Sequence, residues 1–222
     1  MSTGKSLHRQ YQERMLGEVG SRFLANHAMC TRPWANRRND IPDKVHAIGA
    51  LEFPFYDYPD YPYYPQEEGG KPQGRSVDVV FVCGAGKSTT YHDENHTIAV
   101  EVKSSMENLI CDPKIPEYFE RTDYIYLAVP DDLVIPALIR TLSWGHVGVV
   151  SLTTGKIYKP AKRQVVPFEE RKRILERLLL EKPCYPLQGD IDPQKDGGLF
   201  VFPNLQRVDW ATGVPQYIER VR

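Results

Sequence analysis

Residues 76–83 read SVDVVFVC and residues 97–103 read TIAVEVK. Both stretches are short and rich in β-branched residues, and the connection between them, GAGKSTTYHDENH at 84–96, is glycine-rich and polar. That is the pattern of two strands joined as a hairpin. Side chains alternate across a strand, so Glu101 and Lys103 share one face of the second strand while Val100 and Val102 take the other. With the strands paired, Asp78 falls within a cross-strand distance of roughly 5 Å from that acid and amine.

Two carboxylates and a lysine at one place suit phosphodiester hydrolysis. Mg²⁺ prefers oxygen ligands and keeps several waters, so Asp78 and Glu101, helped by the Val102 carbonyl, would hold Mg²⁺ or Mn²⁺ without caging it. Lys103 would orient the attacking water and stabilise charge on the phosphate, a task for a compact ammonium.

The rest of the chain supports an α/β protein with a mixed central sheet flanked by helices. Apolar residues at Leu7, Tyr11, Leu16, Val19, Phe23 and Leu24 predict one amphipathic helix over residues 6–29. A strand is expected at 47–55 and a surface loop over the Tyr- and Pro-rich residues 56–74, since proline disfavours helix and central strand alike. After the hairpin the pattern predicts a short helix at 117–121, a strand at 124–129, a helix at 132–142, strands at 147–152 and 156–158, and a charged helix at 168–181. The expected organisation is one core, residues 1–165, with residues 166–222 as a helix and extension packed on it.

Composition narrows the function little. Lys and Arg number 28 against 29 Asp and Glu, a net charge of −1, so nucleic-acid contact has to come from a local basic patch and not from the field of the whole molecule. The four cysteines are widely separated with no CxxC pair, which points to a reducing compartment. No apolar run approaches the roughly 18 residues that span a bilayer, and the first residues lack a signal core, so a cytoplasmic protein is expected.

The order helix, strand, Asp-bearing strand, ExK strand, helix, strand resembles the PD-(D/E)XK nuclease superfamily. More narrowly, residues 75–160 are similar to the MmcB-like DNA-repair family. The matching blocks are RSVDVVFV (75–82), IAVEVKSS (98–105), Asp112–Pro113–Lys114 followed by Tyr118, DYIYLAVP (123–130), and VGVVSL (147–152) with Gly155 after it. The resemblance implies a restriction-endonuclease-like core, a metal on Asp78 and Glu101, a catalytic Lys103, and DNA as the substrate. It also implies a helical glutamate near the metal, for which Glu18 is the choice and Glu13 the substitute. Asp112, Lys114 and Tyr118 match the family pattern and would either position the sheet or touch a phosphate.

Candidate phosphate contacts are Arg32, Arg37 and Arg38, the group Lys156, Lys159, Lys162 and Arg163, the basic stripe of the helix at 171–177, and Arg75 and Lys87 beside the hairpin. Other signals compete. GAGKST resembles a phosphate-binding loop, but Phe81 stands where the Walker spacing needs glycine and a strand follows in place of a helix. His92 and His96 are four apart in a polar connection with no helical pattern, which reads as loop and not as a zinc site. Residues 53–64 could stack on bases or pack on their own body. The rival readings are a DNA-binding module without turnover, a nucleotide-binding protein using the GAGKST segment, and a structural or phage-associated protein with an incidental ExK.

Overall fold

The structure is a computed structural model that describes residues 5–31, 45–55, 76–85, 95–112 and 114–180, with three short strands beyond them. The Tyr/Pro-rich segment, the 86–94 connection, Arg32, Arg37, Arg38, Arg75, Lys87 and His92 lie outside the described residues. So does most of the chain after residue 180.

The strands are β1 (Val45–Pro54), β2 (Ser76–Ala85), β3 (His96–Val102), β4 (Tyr124–Val129), β5 (Val147–Ser151), β6 (Ile157–Lys159) and β7 (Tyr185–Pro186). They form one mixed sheet in the order β6-β5-β4-β3-β2-β1-β7. As the hairpin pattern predicts, β2 and β3 pair antiparallel, from Cys83 opposite His96 to Val79 opposite Val100. β3, β4 and β5 run parallel. Every residue of these three central strands is buried, which is why their sequences are almost continuously apolar. A separate pair, β8 (Leu205–Val208) with β9 (Pro215–Tyr217), lies apart from this sheet.

Helices cover both faces. On one face α1 (Leu7–Met15) and α2 (Glu18–Thr31) pack Met15, Val19, Phe23 and Leu24 against Val79, Phe81, Val100 and Tyr126. On the other, α3 (Met106–Cys111), α4 (Val134–Arg140) and α5 (Phe168–Leu180) bring Leu109, Leu138, Ile174 and Leu178 onto Val80, Ala99, Ile125 and Leu127. The architecture is therefore α/β with a mixed sheet flanked by helices, and α5 belongs to the same core as the strands.

Several boundaries differ from the sequence pattern. The single helix expected over 6–29 is two, because Leu16 and Gly17 turn back to the Glu13 and Arg14 carbonyls and glycine is a poor helix former. The helix expected at 117–121 is a 3-10 turn, Ile115–Tyr118, with Pro116 in its first turn. The helix expected at 132–142 is α4 with a 3-10 turn at each end. α3 has no counterpart in the sequence pattern; Ser105 caps it by accepting from the Asn108 amide.

Two glycines are required by close approach. A Cβ on Gly148 would lie 2.3 Å from Tyr126 Cε1 and 2.7 Å from the Ala161 amide. Gly155 has φ +72° and would place a Cβ 2.6 Å from the Val19 carbonyl oxygen.

Several polar residues that the sequence offered as surface contacts are structural. Asp123 is fully buried and accepts from the Thr97 amide and hydroxyl, both at 3.0 Å, from Arg171 at 2.7 Å, and from Arg163 at 3.3 Å, tying α5 to the sheet. Lys159 donates to the Thr141 and Trp144 carbonyls at 2.7 and 3.1 Å. These bonds close the end of α4, and burial, with the Lys162 charge nearby, pulls the Lys159 pKa down to about 8. Lys162 is exposed. His96 is buried in β3 and not in a loop.

His27 is buried under the sheet with Nδ1 2.9 Å from the Tyr126 hydroxyl. Burial, and secondarily the neighbouring His96, pulls its pKa down to about 3. An unfolded histidine binds a proton near pH 6.5 and the folded one does not, so stability is present above that pH and is lost as pH falls from there toward 3. The expected loss between pH 7 and pH 5 is about 2 kcal/mol from His27. Urea denaturation at the two pH values measures it, and His27→Asn should flatten the slope; an equal slope in both proteins would show that His27 is not buried neutral.

Candidate active site

β2 and β3 separate beyond Val79 and Val100: β2 continues along β1 to Ser76, and β3 continues along β4 to Val102. In that fork the Asp78 carboxylate replaces a ladder partner. Its Oδ2 accepts from the Val102 amide at 2.7 Å, and its Oδ1 accepts from Gln12 Nε2 of α1 at 2.8 Å and lies 3.1 Å from His8 Nε2. Glu101, one residue back on β3, takes Lys103 Nζ on Oε1 at 2.9 Å and the Tyr118 hydroxyl on Oε2 at 3.1 Å. Lys103 also donates to Asp112, which accepts from the Lys114 amide at 2.8 Å on its other oxygen.

The cluster has a buried floor and a more open rim. Glu101 is 2 % exposed and Lys103 3 %. The side chains of Asp78, Asp112 and His8 are 13, 15 and 37 % exposed. Burial first, and then the Asp78 charge, push the Glu101 pKa up to about 7 against the pull of Lys103. Burial opposes the Lys103 charge, but Glu101 and Asp112 outweigh it and hold the ammonium above its ordinary range. Burial likewise opposes the Asp112 charge, yet its bonds to Lys103 and the Lys114 amide keep it a stronger acid than usual. The hydrogen bond to Asp78 raises His8. Negative charge exceeds positive in this pocket, the condition that favours a cation.

The donor set tests the fit of Mg²⁺ or Mn²⁺. Asp78 Oδ2 and both Glu101 oxygens each use one acceptor site, leaving a lone pair apiece. Oxygen donors from two carboxylates, with water completing the shell, match a hard cation that is not caged. The Val102 amide faces Asp78, and in an extended strand the carbonyl of the same residue points to the same side. Among the described residues no group of three or more His, Cys, Asp or Glu is arranged to hold a metal ion. A cation here would rest on the carboxylates of Asp78 and Glu101.

The fork brings Asp78, Glu101 and Lys103 together; the other expected members fare differently. Glu18 does not reach the cluster: it is exposed at the start of α2 and pairs with Arg22. Glu13 pairs with Lys5 and Arg9 at the surface. The helical position beside Asp78 belongs instead to His8 and Gln12, one turn apart on α1. No sequence signal marks them, because the burial of Gln12 beside Met15 is visible only in the fold. Tyr118 is fully buried and, instead of touching a phosphate, holds Glu101. Asp112 positions Lys103, and Lys114 is half-buried beside it.

Comparison with known proteins adds little. No protein-family model matches the chain, and no curated protein matches it with significance. A solved structure of a protein of unknown function from Silicibacter pomeroyi superposes with a TM-score of 0.40 at 19 % identity, covering 61 % of this chain and 80 % of that one. A likeness at that level assigns neither family nor activity.

Among the described residues Lys103 is the cation that bridges Glu101 and Asp112, so removing it leaves Glu101 without that counter-charge. Lys103→Met is expected to cost about 3 kcal/mol of unfolding free energy at pH 8, where Glu101 is ionised, and less at pH 6. Chemical denaturation at both pH values measures this; a cost below about 1 kcal/mol would mean that the Glu101–Lys103 pair is solvated.

Proposed function

We propose that this chain is a divalent-metal-dependent nuclease that hydrolyses phosphodiester bonds in DNA, with Asp78 and Glu101 as metal ligands and Lys103 as the catalytic amine. The observation that carries the reading is the fork itself: neighbouring strands of one sheet separate where Asp78, Glu101 and Lys103 meet. The motif order and the resemblance to the PD-(D/E)XK superfamily, closest to the MmcB-like DNA-repair proteins, support the same reading and a restriction-endonuclease-like core.

The bound cation would supply Lewis acidity to a phosphate oxygen and lower the pKa of a coordinated water. The protein's own groups do the positioning. Gln12 and the Val102 amide fix the Asp78 carboxylate. Tyr118 fixes Glu101. Lys103, held between Glu101 and Asp112, brings an ammonium to where a phosphate oxygen gains charge as water attacks phosphorus and the bond to the leaving oxygen breaks. Lys162 on the surface is a remaining candidate for seating the backbone of the nucleic acid.

One observation favours a second reading, a DNA-binding module that keeps the motif as structure without turnover. Glu101 and Lys103 are both nearly inaccessible. A nucleotide-binding role for the GAGKST segment has less support, because Gly84 and Ala85 extend β2 opposite His46 and Val45 and the next element is a strand.

Plasmid and single-stranded DNA incubated with Mg²⁺ or Mn²⁺ decide between the first two. The expected result is metal-dependent cleavage that EDTA abolishes and that Asp78→Asn and Glu101→Gln each reduce by at least about 100-fold with folding intact. Undiminished cleavage in Asp78→Asn overturns the assigned site. Salt-dependent DNA binding with no cleavage under either metal selects the module.

A further inference from the structure

The buried Gln12 amide can lie only one way. Its Oε1 accepts from Arg9 Nη1 at 3.3 Å, and its Nε2 donates to Asp78 Oδ1 at 2.8 Å. A guanidinium has hydrogens and no acceptor, and a carboxylate has acceptors and no hydrogen, so the reverse orientation would set like against like at both ends. Arg9 is itself aimed. Its Nε donates to Glu13 Oε1 at 3.3 Å, and Nη1 also donates to Glu52 Oε1 at 3.1 Å. Glu13 lies one turn further along α1, whereas Glu52 comes from β1. In the β1–β2 register Glu52 falls opposite Asp78, between the pairs Leu51–Val79 and Phe53–Val77, and there its backbone is left-handed with φ 51°. A residue with a side chain adopts that conformation at a cost, and in β1 it occurs where the strand passes the Asp78 carboxylate.

We propose that Arg9 is a positioning residue of the candidate active site, which sets the Asp78 carboxylate through Gln12. Its consequence for catalysis rests on the nuclease reading of the fork. The Val102 amide holds Oδ2 of Asp78 and Gln12 holds Oδ1, so the carboxylate turns only if one of them lets go. Without Arg9, a buried amide oxygen loses its donor, an arrangement that is relieved when the amide rotates. That rotation takes the Nε2 hydrogen away from Asp78. The hydrogen bonds of Arg9 go to Gln12, Glu13 and Glu52 and not to Asp78, Glu101 or Lys103, so its influence on the site passes through Gln12.

The test compares the full-length unmodified chain with Arg9→Met, Arg9→Lys, Gln12→Met and the Arg9→Met/Gln12→Met double variant, in DNA cleavage and in nuclear magnetic resonance of the Gln12 side-chain amide. Arg9→Met is expected to lower kcat about tenfold with KM within about twofold, and Arg9→Lys, which keeps a donor, to recover part of the loss. In the Gln12→Met background the same substitution should cost nothing further, because the two residues act in series. The Gln12 amide hydrogens should exchange with solvent at least about tenfold faster in Arg9→Met, a readout independent of catalysis. A raised KM with unchanged kcat would make Arg9 a substrate contact and overturn the assignment, as would losses that multiply in the double variant. If the unmodified chain cleaves no DNA, the nuclease reading falls and amide exchange decides alone: faster exchange in Arg9→Met keeps Arg9 as the residue that sets Asp78, and unchanged exchange removes it.

Discussion

The bond from the Val102 amide to the Asp78 carboxylate is the constraint on which the site depends. Where two strands of a sheet part, the backbone donors at the fork lose their ladder partners, and a buried donor left alone costs as much as a lost hydrogen bond. Here a side chain of the departing strand satisfies the donor of the other. The carboxylate is thereby pinned at the mouth of the fork, one residue from Glu101 on β3. Gln12 completes the arrangement from outside the sheet, so that α1 is held to both strands through one acid. Fork, helix position and carboxylate pair are a single connected network.

Such a network is costly to maintain. Burying Glu101 beside Asp78 raises its pKa to about 7, which means that the folded protein resists the charge the residue carries in water. Lys103 offsets part of this and Asp112 then competes for the same ammonium. Buried ion pairs of this type are often no better for stability than well-packed apolar residues of the same volume. Elsewhere in this sheet the protein uses that apolar solution: Val100, Val102, Ile125 and Leu127 surround the fork. Asp123, the other buried acid of the sheet, is matched by two arginines and by Thr97, whereas the fork sets the carboxylates of Asp78, Glu101 and Asp112 around one ammonium.

What could be read from the sequence follows from the range of the interactions. The β2–β3 hairpin and the convergence of Asp78, Glu101 and Lys103 rest on period-two alternation and a nearby turn, both local, and they were legible. The tie from His8 and Gln12 to Asp78 spans 70 and 66 residues, and nothing near residue 8 or 12 announces a partner so distant. Glu18 was attractive because it is an acid on the right kind of helix, but the turn at Leu16 and Gly17 begins a new helix and leaves it facing solvent. Lys159 and Arg163 stand out by residue type, as cations suited to nucleic acid, and Tyr118 by its match to the family pattern, which leaves open whether it positions the sheet or touches a phosphate. Their roles are set by what packs over them: Glu101, the end of α4, and Asp123.

The gradient of exposure across the cluster has a consequence for the order of events. Glu101, Lys103 and Tyr118 form the floor, and His8, Asp78 and Asp112 form the rim. Under the nuclease reading, a phosphodiester approaching from the open side meets Asp78 and Asp112 before the ammonium of Lys103. Two carboxylates repel an anion, and Lys103 is engaged with Glu101 and Asp112 beneath them. A cation held by Asp78 and Glu101 would remove the repulsion and, by weakening the hold of Glu101 on Lys103, would leave the ammonium less committed. Under that reading the cation would precede the nucleic acid, since three carboxylates around one ammonium have the wrong sign to receive a phosphate.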